Sequence, residues 1–282
     1  MTTLETLKDK YTEVRQRIAD AAKRSGRNAG TVVLIAVSKT AEPDQIRELV
    51  RLGHCDFGEN RVQQLIQRAA VMDEWMARQR SMPGMHWQPP AQGDMMGAPV
   101  AAQTPAAGLP AQIRWHMIGH LQRNKARKAV ELCRMIHSVD SLRLAEELQL
   151  IAIKREKPIE VLLQVNCSHE PQKHGCAIAA AAHLVEQIET MIHVQVRGLM
   201  TMAAADVDAS EVRRTFQRGK ELFDEIRESG VASPTFNILS MGMSGDFEAA
   251  ILEGANMVRV GTALFGEPKP GVGDGTDEED ED

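Results

Sequence analysis

The stretch TVVLIAVSKT, residues 31–40, decides the fold. Its six consecutive apolar or small residues, mostly β-branched, read as a strand buried on both faces, as in a parallel sheet covered by helices. The run ends in a lone lysine, Lys39, where the strand emerges. An ammonium beside low-dielectric walls is poorly hydrated; its pKa falls and the free amine can attack a carbonyl. A lysine at a strand end can also simply snorkel into water. The rest of the chain has to choose between Schiff-base chemistry and none.

Upstream, Leu4, Leu7, Tyr11, Val14, Ile18 and Ala22 recur at steps of three and four, which predicts an amphipathic helix ending near Gly26. Downstream, Pro43 and Asp44 open a helix that Gly53 closes, and HCDF (54–57) is a short strand running into GEN (58–60). A helix follows from about Arg61 to Arg80. Further strands are predicted over 113–119, 134–140, 159–167, 194–200, 235–244 and 255–266, with helices over 122–133, 141–154, 175–191 and 210–229 and around 247–252. Eight strands alternate with helical segments, the weakest helical pattern being the one after the last strand. The prediction is an α/β fold, a single (β/α)8 TIM barrel with an extra N-terminal helix, whose functional residues gather at the C-terminal strand ends.

Residues 81–112 interrupt this pattern with six prolines, four glycines and a single charged residue, Asp94. They read as a surface insertion unable to hold a helix or strand. The barrel is therefore expected over 1–267, with an acidic tail over 268–282. The net charge of -6 is that tail's doing: seven carboxylates lie within the last nine residues, leaving the remainder near +1. This excludes a nucleic-acid footprint. No apolar run approaches a membrane span, the N-terminus does not read as a signal peptide, and four scattered cysteines suit free thiols, so a cytoplasmic protein is expected.

Polar residues fall at the predicted strand ends: Lys39, Asn60, His116, Asn166 and Thr201. Strand seven gives way to SMGMSGD (240–246) and strand eight to RVGT (259–262). The loops after strands seven and eight are the usual phosphate cradle of this fold, and Ser244, Gly261 and Thr262 offer hydroxyls and approachable backbone N–H groups. A phosphate ester carrying an aldehyde is the implied ligand.

The segments AVSKT (36–40), FGEN (57–60), WHMIGHLQRNK (115–125), HSVDS (137–141), VNCSHEPQKHG (165–175), RGLM (197–200), LSMGMSGDFEAAI (239–251) and VRVGTALFG (258–266) together resemble the pyridoxal phosphate homeostasis protein family. That family is similar in fold to the barrel domain of alanine racemase. The resemblance implies pyridoxal 5'-phosphate as cofactor, held as an aldimine on Lys39, with Asn60 beside it and Ser244, Gly261 and Thr262 on its phosphate. It also places Arg259 against the pyridine nitrogen. A guanidinium keeps its proton, so the ring nitrogen beside it stays unprotonated and the ring is a poor electron sink. Arg61 stands where the family commonly has a tyrosine.

Racemases of this barrel type pair the lysine with a tyrosine from a separate β domain, whereas the only tyrosine here, Tyr11, belongs to the first predicted helix. The expectation is a carrier or regulator of pyridoxal phosphate in vitamin B6 and amino-acid balance. It would be a monomer with no catalytic residues, serving pyridoxal-phosphate-dependent apo-enzymes. An amino-acid racemase or lyase is the alternative, and a Schiff-base aldolase on a sugar phosphate a third reading. Cys167, His169, His174 and Cys176 lack the paired spacing of a structural zinc site, so no metal is expected there. His116 and His120 read as packing residues before acid–base groups. The basic run Arg123, Lys125, Arg127 and Lys128 reads as a solvated helix face.

Overall fold

The structure, a computed structural model, describes residues 3–81, 87–88, 109–168, 170, 173–204 and 207–267. Eight parallel strands form its centre: β1 (Val33–Val37), β2 (Asp56–Glu59), β3 (Arg114–Met117), β4 (Cys133–Val139), β5 (Ile159–Asn166), β6 (Val194–Met200), β7 (Ile238–Ser240) and β8 (Met257–Val260). Each strand pairs with its neighbours in chain order, and β8 pairs back on β1, which closes the barrel. The helices are α1 (Thr3–Arg24), α2 (Pro43–Arg51), α3 (Val62–Arg80), α4 (Ala126–Leu132), α5 (Leu142–Arg155), α6 (Ile178–Glu189), α7 (Ala209–Ser229), α8 (Phe247–Leu252) and α9 (Thr262–Phe265). The sequence reading of a TIM barrel is thus met, including the helix after the last strand.

Three boundaries differ for local reasons. The predicted helix over 122–133 begins as a 3-10 turn at Arg123–Lys125, and Cys133 already belongs to β4. The strand predicted over 235–244 shrinks to Ile238–Ser240: Met241 and Gly242 still exchange backbone hydrogen bonds with Met257 and Arg259, but the positive φ of Gly242 breaks the extended conformation. Within the insertion, Trp87–Gln88 pairs in parallel with Leu109–Pro110, so its ends do hold a short strand pair, contrary to expectation. A two-residue pair is too short to leave an alternating pattern. Residues 82–86, 89–108 and the acidic tail lie outside the described residues.

Local chemistry fixes the helices. Pro43 sits in the first turn of α2, where Glu42 and Gln45 form a reciprocal capping box. The Asp208 carboxylate accepts hydrogen bonds from the N–H groups of Ser210 and Glu211 at the start of α7, and Gly230 in the left-handed conformation ends it. Helix α1 lies against α8, where Arg17 makes a two-pronged ion pair with Glu248 and stacks over Phe247. Arg27 donates to the carbonyls of Ile251, Gly254 and Ala255, taking up acceptors left open where α8 ends.

The barrel lumen is a packed core. Ile35, Met135, Leu162, Met200, Ile238 and Met257, one from each of six strands, form a cluster separate from the larger shell between strands and helices. Gly198 permits the close approach of β6 to β7, since a Cβ there would lie 1.8 Å from the Ile238 carbonyl oxygen. Among the described residues no helix is long and apolar enough to cross a membrane. All four cysteines are free, as expected.

Two buried histidines make the fold acid-sensitive. His54 donates from Nε2 to the Asp56 carbonyl and accepts at Nδ1 from the Tyr11 hydroxyl, and burial pushes its pKa from 6.5 down to about 4. Burial likewise holds His137 well below its ordinary value. The unfolded chain binds these protons below pH 6.5 while the folded chain does not, so stability is complete above that pH and declines as pH falls below it. The His54 shift alone corresponds to roughly 3 kcal/mol lost between pH 6.5 and 4. Urea midpoints measured across that range should fall with pH, and His54→Gln should flatten the dependence. A flat wild-type profile would contradict the neutral buried ring.

Candidate functional site

At the C-terminal mouth, β1 and β8 run side by side, with Ile35 opposite Arg259 and Ala36 opposite Val260. Lys39 follows two residues beyond Val37. Gly261 lies against the same strand end: a Cβ on it would sit 3.3 Å from Val37 Cβ. The lysine and the turn after β8 are therefore neighbours by register. The Lys39 side chain is exposed at the rim and not enclosed by apolar walls, which corrects the expectation of a desolvated amine. The strand ends at Val37, and the two-residue extension lifts the lysine clear of the packed lumen.

The backbone that carries Lys39 is clamped from below. Ser38 is fully buried, its N–H donates to the Gly58 carbonyl at 3.0 Å, and its hydroxyl donates to Glu59 Oε1 at 2.5 Å. Arg68, on α3, lies 2.9 Å from both Glu59 carboxylate oxygens and donates to the carbonyls of Lys39 and Ala41 at 3.0 and 3.3 Å. Burial pushes the Glu59 pKa up, while the Arg68 charge and the Ser38 hydroxyl pull it back. The carboxylate aims the guanidinium, and the guanidinium holds the Lys39 loop. Sequence reasoning missed this clamp, although Ser38 and Glu59 stand inside AVSKT and FGEN.

Ser244, Gly261 and Thr262 come together as expected. The Ser244 hydroxyl oxygen accepts hydrogen bonds from the N–H groups of Gly261 and Ala263 at 3.1 and 3.3 Å, which ties the loop after β7 to the start of α9. Asn60 sits at the end of β2 beneath Gly119. A Cβ on Gly119 would lie 2.2 Å from the Asn60 carbonyl oxygen, so no side chain fits there. Gly119→Ala must therefore push the Asn60 loop outward. Asn166 serves its own loop, donating to the Glu170 carbonyl at 2.8 Å and accepting from the Ser168 N–H. Arg61 caps α3.

Arg259 projects into the lumen, 3% exposed, where its guanidinium donates to Ser240 Oγ at 2.7 Å and to the Thr201 carbonyl at 2.9 Å. Burial lowers its pKa to about 10, with Asp246 acting in the opposite sense, so it stays charged at neutral pH. Beneath it runs a chain of buried polar groups. Ser240 Oγ is a long 3.4 Å from His137 Nδ1, His137 Nε2 is 3.0 Å from His116 Nδ1, and His116 Nε2 is 3.1 Å from Asp56 Oδ1. Arg114 closes the chain with two hydrogen bonds to Asp56 at 2.7 and 2.6 Å. Burial raises the Asp56 pKa, but the bonds from His116 and Arg114 outweigh it and hold the carboxyl well below the usual range. The Asp56 carboxylate can only accept, so His116 donates to it from Nε2, and at the other end the Arg259 guanidinium donates to Ser240.

His116 is thus a satisfied packing residue. His120, four residues on, stands exposed at the rim. Of the four residues considered for zinc, Cys167 is buried and His169 lies outside the described residues. Tyr11 is buried in α1 against His54, not at the mouth. The side chains of Arg123, Arg127 and Lys128 are exposed and that of Lys125 half-buried, as a solvated helix face requires.

Comparison with known proteins places this geometry. The model of the alanine racemase N-terminal domain family matches residues 11–269. The pyridoxal phosphate homeostasis protein of Pseudomonas aeruginosa is 34% identical over 263 residues, covering 93% of this chain and 96% of that protein. Among solved structures, PipY of Synechococcus elongatus with PLP bound aligns with a TM-score of 0.67 at 33% identity, over 88% of this chain and 100% of that one. An alanine racemase from Corynebacterium glutamicum shares the fold at 14% identity, with a TM-score of 0.58 over 93% of this chain and 63% of its own. On the strength of these matches, the chain belongs to the pyridoxal phosphate homeostasis proteins, within the alanine racemase N-terminal domain family.

Proposed function

We propose that this chain binds pyridoxal 5'-phosphate at the barrel mouth, held covalently through Lys39, and carries or regulates the cofactor without turning over a substrate. The observation that carries the reading is the register of β1 and β8, which sets Lys39, the Gly261 turn and the buried Arg259 along one edge of the barrel. The donor set suits the cofactor. The Ser244 and Thr262 hydroxyls are neutral donors for a phosphate ester, the Ser244 oxygen being held by the N–H groups of Gly261 and Ala263, and a Cβ on Gly261 would crowd Val37 and thicken the turn. Arg259 is a permanent donor for a ring nitrogen, and Asn60 borders the same mouth. Relatives named for pyridoxal phosphate homeostasis and a relative's structure with PLP bound support the same reading.

Bound pyridoxal phosphate supplies an aldehyde that condenses with amines and a ring whose electron demand rises when its nitrogen is protonated. The residues of this chain restrain that chemistry. Arg259 keeps its own proton and is anchored by Ser240 and Thr201, so it would donate to the ring nitrogen without protonating it. Opposite Lys39 no tyrosine is available among the described residues to act as a second base. The protein is read as a monomer, and pyridoxal-phosphate-dependent apo-enzymes as recipients of its cofactor.

Protein loaded with pyridoxal phosphate and given a panel of L- and D-amino acids should return no racemised, decarboxylated or eliminated product. Sustained product formation would make the chain a racemase or lyase instead. Gly119→Ala should weaken cofactor retention by about tenfold through the displaced Asn60 loop, with little change in the far-ultraviolet circular dichroism. Retention equal to wild type in that variant would remove Asn60 from the site.

A further inference from the structure

We infer that His120, Asp140 and His174 form a binding site for a divalent transition-metal ion of the zinc class on the rim of the barrel. The three residues come from three successive strand ends: His120 follows β3, Asp140 follows β4 and His174 lies in the segment after β5. One ligand atom from each lies within 4.8 Å of the other two. The two imidazoles stack with centroids 4.2 Å apart and planes 12° from parallel, and His120 Nδ1 is 3.6 Å from Asp140 Oδ2. Among the described residues this is the one His/Cys/Asp/Glu group with such mutual distances.

The backbones beneath these side chains are fixed while the side chains themselves are accessible. Gly119 packs on Asn60 and Leu121 is buried, which pins His120 from both sides. Asp140 stands at the junction of β4 with α5. The His174 carbonyl accepts from Gln164 Nε2 at 3.2 Å, and the following Gly175 lies so flat on β5 that a Cβ would meet Asn166 N at 2.8 Å. Both imidazoles are exposed, and Asp140 is half-buried, with no ion-pair partner but His120 among the described residues.

Two imidazoles and a carboxylate suit zinc, cobalt or nickel and disfavour magnesium and calcium, which prefer oxygen alone. Ligand atoms on a tetrahedral zinc are about 3.3 Å apart, given bonds of about 2.0–2.2 Å. The present ligand atoms, within 4.8 Å of one another, would close to that spacing by rotation of the two exposed imidazoles about the half-buried carboxylate. Ring nitrogens bind metals in the ring plane, so two parallel rings cannot both address one ion. Metal binding must therefore unstack His120 from His174. Three protein ligands leave the fourth position of a tetrahedral ion open. The ligands come from three loops and share only His174 with the CSHEPQKHGC run at 167–176 that the sequence suggested and its spacing argued against.

The test uses the tag-free full chain, stripped with chelator and titrated with cobalt(II) chloride and, separately, zinc chloride. One equivalent of cobalt should produce visible absorption bands typical of a four-coordinate ion, without the near-ultraviolet thiolate band, and zinc should abolish them. His120→Asn, Asp140→Asn and His174→Asn should each weaken zinc binding by about tenfold or more. Control variants His183→Asn, at an exposed histidine on α6, and Cys176→Ser should bind as wild type. Zinc should raise the melting temperature of the wild type and not that of His120→Asn. Equal affinity in wild type and all three ligand variants, a thiolate band lost in Cys176→Ser, or the absence of one-to-one saturation would each overturn the site. The outcome is independent of cofactor binding, because apo-protein is used throughout.

Discussion

Lys39→Ala should lose bound pyridoxal phosphate on gel filtration, while wild type elutes yellow with about one equivalent. The expected loss of retention is at least about a hundredfold, because a covalent attachment is replaced by the neutral contacts of Ser244, Thr262 and backbone N–H groups. The substitution is benign to the fold. Lys39 is exposed, and the groups that fix its loop are the Ser38 hydroxyl, the Glu59 carboxylate and the Arg68 guanidinium, which reaches the Lys39 carbonyl and not its side chain. Residual phosphate binding should survive in the variant, seen as weak competition by inorganic phosphate. A variant that stayed yellow after gel filtration would move the attachment to another lysine.

Arg259→Gln should cost both stability and cofactor. The wild-type guanidinium is buried and makes two charge-assisted hydrogen bonds, at 2.7 Å to Ser240 and 2.9 Å to Thr201. A shorter neutral amide cannot reach both, and at least one buried acceptor is left without its donor. The expected loss is about 2–4 kcal/mol, read as a lower urea midpoint. Because the Ser240 hydroxyl loses its orienting donor, His137 also loses a defined partner above it. Arg259→Glu carries the argument further. A carboxylate facing the ring nitrogen would stabilise its protonated form, and the loaded variant should exchange the α-hydrogen of added amino acids with D2O faster than wild type. Equal exchange rates would mean that Arg259 does not restrain the cofactor.

Much of this was legible in the chain because strands in a barrel announce themselves locally. The run 32–37 is apolar for its whole length, and FGEN and RVGT mark the points where strands stop and loops begin. That Ser244 and the Gly261–Thr262 turn would meet was legible because the loops after strands seven and eight have a fixed place in the fold. The clamp of Ser38, Glu59 and Arg68 and the chain Asp56–His116–His137–Ser240 were not found. Their partners are separated by up to 103 residues, as for Ser240 and His137, and no periodicity encodes such a pair. Strand parity could have given part of it: Met135 and His137, or Met257 and Arg259, share the lumen face at a spacing of two. The exposed position of Lys39 was missed for the opposite reason. Apolar neighbours in sequence suggested walls, but those side chains pack below the rim.

The central claim, that Lys39 is the attachment point of pyridoxal phosphate, is tested most directly by peptide mapping. The loaded protein is reduced with borohydride, digested, and its modified lysine located by mass spectrometry. The modification should fall on Lys39 in about one copy per chain, without any added substrate. A reduced adduct on another lysine, or none at all, would contradict the account.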